Sequence, residues 1–204
     1  MINPFIPGQF YYVHNQTIGN ETAFIEERNY PFFLQKVKKY LTPIAHFYAY
    51  RLLPQHYHFL LQIKSEPELM LWKQELIKEG KLQGTFPTCD QFVLQQFSNM
   101  GNSYCKAFNK TYQRHGRLFT EAIRRQQIDN TRQLVNVVRY IHTHNMAPMP
   151  HFTNQQVSRN SYQAILSNAS TIIQRWQVLE WFNGHDAFIT LHQQPVQNLS
   201  LQKN

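Results

Sequence analysis

Apolar and polar positions follow two different spacings along the first third of the chain. Residues 8–19 are rich in aromatic and β-branched side chains and end at a glycine, which predicts a strand. Apolar residues in 27–41 recur every four positions with lysines between them, the pattern of an amphipathic helix. Two further apolar segments, 44–53 and 57–64, are separated only by Pro54 and Gln55. Because so short a break suits a tight turn, we expect these segments to pair as antiparallel strands.

The middle of the chain continues with longer helical patterns. Residues 65–80 begin with a serine and acidic residues and end at a glycine, as helices commonly do. Segment 91–116 predicts a long helix interrupted at Gly101, with a basic and aromatic exposed face. Residues 117–128 alternate well enough to be a strand. The segment 130–145 then predicts another helix, with an asparagine or aspartate before it as the N-cap.

The order strand, helix, strand, strand, helix, strand, helix predicts an α+β protein with a ferredoxin-like antiparallel sheet packed by helices. We expect this domain to occupy residues 8–148, followed by a helical C-terminal extension in 149–192 and a disordered tail in 193–204. Three apolar residues are expected to pack the extension: Trp176, Leu179 and Trp181.

Composition favours a polyanionic partner. The chain has 20 lysines and arginines against 12 acidic residues, a formal net charge of +8 and a sequence pI near 9.5, so nucleic acid is the first candidate partner. Two cysteines are too few for a disulfide framework or a cysteine zinc site, which favours a reducing cytoplasm. The sequence shows neither a signal-peptide pattern nor the ~20 consecutive apolar residues of a membrane span. We therefore expect a soluble protein that is not exported.

A pair of histidines stands out in the segment 57–64 and the turn before it. His56 and His58 are two positions apart, so on a strand both side chains project from the same face. Two imidazoles on one face can converge on a metal ion, although a structurally satisfied histidine pair is the alternative. The predicted helix 130–145 supplies a third candidate ligand, His144, if it packs beside this strand.

Tyr140 stands four positions before His144, so the two side chains lie on the same helix face. A tyrosine can act as a covalent nucleophile when a metal or base assists its weakly nucleophilic hydroxyl. A cation that polarises a phosphodiester would provide that assistance by stabilising charge on the non-bridging oxygens. The alternative for Tyr140 is a tyrosine that only fills space in the core.

The residues around these positions resemble a known family. "AYRLLPQHYHFLLQIK" closely resembles the Tyr-x-x-Met-Pro-Asn-His-x-His strand of single-tyrosine HUH transposases, which mobilise small insertion elements and include the REP-associated tyrosine transposases. "YYVHNQTIGNETAF" resembles the first strand and turn of that family, "KAFNKTYQRHGRLF" the region before its last strand, and "VVRYIHTH" its nucleophile helix. "SYQAILS" and "VLEWFNGHDAF" match the C-terminal portion of a subgroup. The resemblance covers nearly the whole chain, from about Phe10 to His192.

The resemblance implies a transposase that nicks and rejoins single-stranded DNA at hairpin-bearing element ends. By position, Tyr140 would be the nucleophile that forms a 5′-phosphotyrosine and leaves a free 3′-hydroxyl, and His56, His58 and His144 would bind Mg²⁺ or Mn²⁺. Relatives act either as homodimers or as monomers, and both states stay open for this chain. Such a protein would work in the cytoplasm, associated with the nucleoid.

Two departures from the family pattern leave a second function open. Gln55 stands where the family has an asparagine, and the nucleophile helix continues as His144-Asn145 where the family has an amide ligand and a proline. A non-catalytic protein that binds hairpins or single-stranded DNA and descends from such an enzyme is therefore the alternative. A small-molecule metal hydrolase using the three histidines ranks lower, because it leaves Tyr140 and the basic region unexplained.

The segment from Phe92 to Arg125 interleaves aromatic and basic residues. Aromatic rings that stack on bases and cations that meet phosphates are what a single-strand groove uses. The alternative is that the aromatics belong to the core and the charges to a solvated face. The residues predicted to contact DNA are Tyr104, Lys106, Lys110, Arg114, Arg117, Arg124 and Arg125.

Overall fold

The computed structural model describes residues 4–82, 85–86, 88–143 and 159–194. Within these ranges the chain forms five strands: β1 (Phe10–Gln16), β2 (Ala45–Leu53), β3 (His56–Ile63), β4 (Arg124–Ile128) and β5 (Arg159–Asn160). Helices in the described ranges are α1 (Asn29–Tyr40), α2 (Glu66–Lys78), α3 (Cys89–Thr111), α4 (Thr131–Thr143), α5 (Tyr162–Leu166), α6 (Arg175–Trp181) and α7 (His185–Gln193). None of the helices placed in these ranges is long and apolar enough to cross a membrane.

The strands form one antiparallel sheet in the order β4-β1-β3-β2-β5. The four strands β4-β1-β3-β2 have the order of a ferredoxin-like sheet, with α1 between β1 and β2 and α3 between β3 and β4 along the chain. The predicted α+β fold is therefore confirmed. β5 was not predicted from the sequence, because two residues are too short to show a period. It widens the sheet by pairing with Arg51 and Leu52 of β2.

Local sequence signals account for where the helices begin. Ser65 and Glu68 form a capping box at the start of α2, and the Thr88 hydroxyl accepts a hydrogen bond from the Gln91 amide at the start of α3. The Asn130 side chain accepts from the Gln133 amide at 3.0 Å, which identifies Asn130 as the N-cap of α4. Each cap satisfies an amide that the first helical turn leaves without a partner.

α3 differs from its prediction, because it runs through Gly101 without a break. A glycine inside a helix costs only about 1 kcal/mol relative to alanine. Phe97, Met100 and Tyr104 lie on either side of Gly101 and are fully or nearly fully buried, so packing outweighs that cost. The aromatic side chains of α3 therefore form its buried face, and the prediction of an aromatic exposed face is wrong.

The sheet separates two layers with different chemistry. Tyr57 and Phe59 face one side, where Tyr57 packs against Phe33 of α1, and that side carries α1 and α3. On the other side lie α4, α6 and α7. We call this second side the histidine face, defined by four side chains that alternate with the apolar ones along β1 and β3: Tyr12, His14, His56 and His58.

The C-terminal helices pack on the histidine face beside α4. Trp181 contacts the rings of Phe10 and Tyr48, with centroids 5.6 and 4.8 Å away, as expected for a packing residue. Trp176 is 74% exposed, so the prediction that it packs the extension is wrong. The predicted domain boundary at 148 lies outside the described residues, as do positions 195–204 of the predicted tail. Gln193 ends α7.

Candidate functional site

Three imidazoles lie next to each other on the histidine face. His56 and His58 project together from β3, with ring centroids 5.0 Å apart and ring planes at 83°. His14 on β1 is the cross-strand partner of His58, and their rings stack at 5.6 Å. His14 was not predicted from the sequence. Because His14 is two positions after Tyr12, the two side chains project from the same face of β1. Only the register of β1 on β3 places His14 opposite His58.

Tyr12 connects to the histidine pair through its hydroxyl. The Tyr12 oxygen lies 2.6 Å from Nδ1 of His58, and the two rings stack with centroids 5.9 Å apart. Tyr12 is 3% exposed, and its burial raises the pKa of the hydroxyl above the ordinary value. Tyr12 therefore stays a neutral phenol at physiological pH. Tyr12, like His14, was not predicted from the sequence.

Tyr140 on α4 meets the same group of side chains. Its ring contacts Tyr12 edge to face, with centroids 5.9 Å apart. Burial raises the pKa of Tyr140, and the nearby Tyr12 hydroxyl opposes that rise. The chain His58, Tyr12, Tyr140 thus joins the histidine pair on the sheet to the predicted nucleophile on the helix.

Arg51 fixes the end of α4 on the sheet. Its Nη1 donates to the carbonyl oxygens of Ile141 and His142 at 3.4 and 3.1 Å, and only 4% of the residue is exposed. The guanidinium therefore sits at the negative end of the helix dipole, a favourable place for a cation. Arg51 is adjacent to His58 in the register of β2 on β3, so it fixes the Tyr140 helix beside the histidines.

A buried chain of hydrogen bonds attaches the C-terminal extension to α4. His192 Nδ1 lies 2.7 Å from the Phe188 carbonyl oxygen and must donate to it. His142 Nδ1 then donates to His192 Nε2 at 2.9 Å, and the Ser161 hydroxyl donates to His142 Nε2 at 2.8 Å. Every partner is satisfied only when both imidazoles are neutral. Burial accordingly lowers the pKa of His142 well below its ordinary value and that of His192 to about 4.

We expect acidification to destabilise this attachment. Because the folded pKa of His192 is about 4 and that of an unfolded histidine about 6.5, the unfolded chain binds more protons in that interval. The stabilisation is complete above about pH 6.5 and is lost as the pH falls, about 1 to 2 kcal/mol by pH 5. Urea unfolding at pH 7.5 and pH 5 measures this loss. His192→Phe should reduce the pH dependence, and an unchanged dependence would contradict the neutral-imidazole chain.

The histidine pair has the donor chemistry of part of a cation site. A histidine that ligates a metal through one ring nitrogen commonly donates the other N–H to a partner, and Tyr12 provides that partner for His58 Nδ1. His56 and His58 could therefore supply two imidazole nitrogens. Within the described ranges, no group of three or more His, Cys, Asp or Glu side chains is arranged to hold a metal ion. His144, the predicted third ligand, lies outside the described residues.

Arg124 is the predicted DNA-contacting cation that lies nearest the histidines. It is exposed and is the cross-strand partner of His14. Burial, followed by the positive charges of Arg124 and His56, lowers the pKa of His14 to about 4. His14 is therefore neutral at physiological pH. Arg124 brings a permanent positive charge to the edge of the histidine face.

The other basic residues lie along α3 and the segment after it. Lys106 and Lys110 are exposed and line a shallow cleft together with Arg114. Arg114 has a side chain only 17% exposed, which pairs with Glu21 at 2.9 Å and donates to the Arg117 carbonyl. It holds the turn after α3 in place. Arg117 is exposed and pairs with Glu121 at 3.1 Å.

Two of the predicted DNA contacts need correction. Tyr104 is fully buried, and its hydroxyl donates to the Ala23 carbonyl oxygen at 2.6 Å, so its ring has no face for a base. The Arg125 side chain is 6% exposed, pairs with Asp90 at 2.8 Å and lies over the Phe5 ring. Alternation along β4 explains the difference from Arg124, since neighbouring strand residues face opposite sides. Both residues stabilise the layer of α3.

Comparison with known proteins gives one similar fold. No protein-family model matches the chain, and no curated protein matches it. A solved structure of a REP-associated tyrosine transposase bound to a REP hairpin is similar over 85% of this chain and 93% of that chain, with a TM-score of 0.54 and 10% sequence identity. At that identity the likeness concerns the fold: this chain shares the overall architecture of a tyrosine transposase.

Proposed function

We propose that this protein is a DNA transposase that nicks and rejoins single-stranded DNA beside a hairpin. The observation that carries the proposal is that Tyr12, whose hydroxyl is hydrogen-bonded to His58, also packs its ring against Tyr140. It joins a pair of possible cation ligands to a possible nucleophile on a sheet similar to that of a tyrosine transposase. That neighbour is bound to a hairpin, which supports hairpin DNA as the substrate class here.

In the proposed reaction Tyr140 attacks the scissile phosphodiester. Its hydroxyl oxygen forms a bond to phosphorus, the bond from phosphorus to the 3′-oxygen breaks, and the departing oxygen takes up a proton to become a 3′-hydroxyl. The phenolic proton of Tyr140 leaves to water, since Tyr12 remains protonated and cannot accept it. Attack by a 3′-hydroxyl on the phosphotyrosine reverses the step and rejoins the strand.

His56 and His58 are the described residues that would hold a divalent cation, Mg²⁺ or Mn²⁺, with His144 proposed as a further ligand. Bound there, the cation would stabilise negative charge on the non-bridging oxygens of the phosphate. Neutral imidazoles suit Mn²⁺ better than Mg²⁺, which prefers oxygen ligands. Arg124 would add a second positive charge near the same phosphate, because it lies beside His14.

The DNA is proposed to follow a groove of about 1000 Å³ between α3 and segment 116–123. Lys106 and Arg117 are among its lining residues, and Ile123 at its end directly precedes Arg124. Because the groove lies on the α3 side of the sheet, a strand that leaves it would pass around the β4 edge at Arg124 to reach the histidine face. The protein is proposed to act on DNA at the nucleoid, in the cytoplasm. It would act there either as a monomer or as a homodimer.

Removing two exposed lysines should weaken DNA binding and reduce its salt dependence. Lys106→Ala with Lys110→Ala is expected to lower hairpin affinity about tenfold at low salt, since each lysine meets a phosphate. The slope of log affinity against log salt should fall by about 1.4 for two lost single-strand contacts. Fluorescence anisotropy across salt concentrations measures both quantities. Lys78→Ala with Lys81→Ala removes the same charge from residues paired with Glu75 and Glu79 and should change neither.

The proposed activity can be tested with labelled hairpin oligonucleotides. Inverted repeats flanking the coding sequence, or a fixed hairpin next to a randomised single-stranded segment, would be incubated with the protein and Mn²⁺. A 5′-phosphotyrosine should keep a 3′ label on the protein in a denaturing gel and release a 5′-labelled fragment that ends in a 3′-hydroxyl. Hairpin binding without any protein-linked label would reject the transposase.

That last result would instead support the alternative, a hairpin-binding protein that has lost catalysis. The altered segment His144-Asn145 is the observation that favours it, because this segment directly follows the nucleophile helix. In that case the histidine face would be a remnant of the catalytic site, and the basic groove would carry the function.

A further inference from the structure

Tyr140 lies between two residues of α4 that are hydrogen-bonded to the C-terminal extension. Before it, the Arg139 guanidinium donates to the carbonyl oxygen of Gln194, the residue that caps α7, at 2.9 Å. After it, His142 takes part in the buried hydrogen bonds that attach the extension to α4. Both connections therefore reach the turn of helix that carries the proposed nucleophile.

Ser161, which donates to His142 Nε2, is itself fixed to the sheet. Its amide donates to the Tyr50 carbonyl oxygen at 3.0 Å, and its hydroxyl oxygen accepts from the Tyr50 amide at 2.9 Å. Ser161 is fully buried and His142 is 5% exposed, so water competes little for these bonds. The His142 ring is thus held to β2 through Ser161 on one side and to α7 through His192 on the other.

The attachment matters because of where these residues lie around the helix. Successive residues of an α-helix are about 100° apart, so His142 projects about 200° around α4 from Tyr140, nearly opposite to it. Apolar packing of α4 on the sheet is not directional and tolerates a small roll of the helix about its axis, whereas hydrogen bonds restrict both distance and angle. A roll of about 20° would move a tyrosine hydroxyl, about 9 Å from the axis, by about 3 Å.

We infer that His142 is a positioning residue for the proposed nucleophile: its bonds to Ser161 and His192 set the roll of α4 and thereby the place of the Tyr140 hydroxyl. The C-terminal extension then acts on catalysis through α4 and needs no side chain at the phosphate. Misplacing a reacting group by about 1 Å can lower a rate about a hundredfold. This effect on rate rests on the proposed function, whereas the orientation of Tyr140 rests on the hydrogen bonds alone.

Two substitutions break the attachment. His142→Phe keeps an aromatic ring in the buried position and removes both hydrogen bonds, and Ser161→Ala is milder because it removes one hydroxyl. Tyr48→Phe is the matched control. The buried Tyr48 hydroxyl donates to Gln177 at 3.0 Å, so it also joins the extension to the sheet, but through α6 and not through α4.

Fluorine NMR of protein containing 3-fluorotyrosine reports the surroundings of Tyr140 without any activity, and Tyr140→Phe identifies its signal. Adduct formation with saturating labelled hairpin gives two further quantities. The final amplitude measures the fraction of protein that can react, and the rate measures how well the nucleophile is placed. With each variant assayed below its unfolding temperature, a residue with only a structural role would lower the amplitude and leave the rate unchanged.

In His142→Phe the Tyr140 signal should shift or broaden, and the rate should fall at least tenfold at unchanged amplitude. Ser161→Ala should show the same changes to a smaller degree, and it decides the question alone if His142→Phe does not fold. Tyr48→Phe should match the wild type in both the Tyr140 signal and the rate.

An unchanged Tyr140 signal in the folded variants, or a lower amplitude at an unchanged rate, would overturn the inference. Absence of adduct in the wild type would reject the proposed function instead. In that case the fluorine signals would still decide whether the extension orients Tyr140.

Discussion

Tyr140→Phe is expected to abolish the covalent protein–DNA adduct while hairpin affinity stays within about twofold of the wild type. The substitution removes only the attacking oxygen, and loss of a covalent nucleophile typically costs at least a thousandfold in rate. The ring keeps its edge-to-face contact with Tyr12, so the packing of α4 on the sheet should persist. Denaturing gels with a 3′-labelled hairpin measure the adduct, and anisotropy measures the affinity.

Tyr40→Phe is the matched control for this substitution. Tyr40 is also a partly buried helix tyrosine, but it ends α1 on the other layer of the protein. Removal of the Tyr40 hydroxyl should leave adduct formation unchanged. Persistent adduct in Tyr140→Phe would show that another residue is the nucleophile.

Removing the histidine pair or the cation should produce the second large effect. His56→Ala, His58→Ala and chelation by EDTA are each expected to slow adduct formation at least a hundredfold, because the phosphate would lose its main charge stabilisation. After chelation, added Mn²⁺ should restore the wild type but neither variant. His56→Ala is the cleaner substitution, since His56 is partly exposed and its replacement leaves the bond between Tyr12 and His58 in place.

His46→Ala serves as the control for a lost imidazole. His46 lies on β2 at the far end of the sheet, where it is opposite Gln62 and 3.9 Å from Glu68. Its removal should change neither the rate nor the metal dependence. Full adduct formation by the wild type in excess EDTA would mean that Tyr140 acts without a cation and that the histidine pair has a structural role.

The main elements of the fold could be predicted because their patterns are local. Residues such as Phe33 and Val37 show the period of α1 directly, and the short break at Pro54 indicates the pairing of β2 with β3. Gly101 misled the prediction of α3, because glycine weakens a helix only slightly and the buried residues around it decide the outcome. β5 depends on a tertiary contact with β2 and leaves no signal in two residues.

The candidate site was predictable to the extent that it depends on spacing. His56 and His58 share a face because strand side chains alternate, and the helical period of α4 assigns Tyr140 to a face together with Val137. Tyr12 and His14 required the register of β1 on β3, which no spacing within β1 reveals. Two predicted DNA contacts, Tyr104 and Arg125, failed for the same reason, since a segment rich in aromatics and cations does not show which side faces the core.

The position of the covalent bond to DNA tests the central claim most directly. The adduct formed with a hairpin oligonucleotide would be digested with nuclease and trypsin, and the nucleotide-bearing peptide identified by mass spectrometry. A nucleotide on Tyr140 would appear in a peptide from 133–159 or from 140–159, because Arg139 directly precedes it, whereas Tyr12 lies in the separate peptide 1–28. We predict a 5′-phosphate linked to Tyr140. A nucleotide on any other residue, or no adduct at all, would contradict the proposed nucleophile.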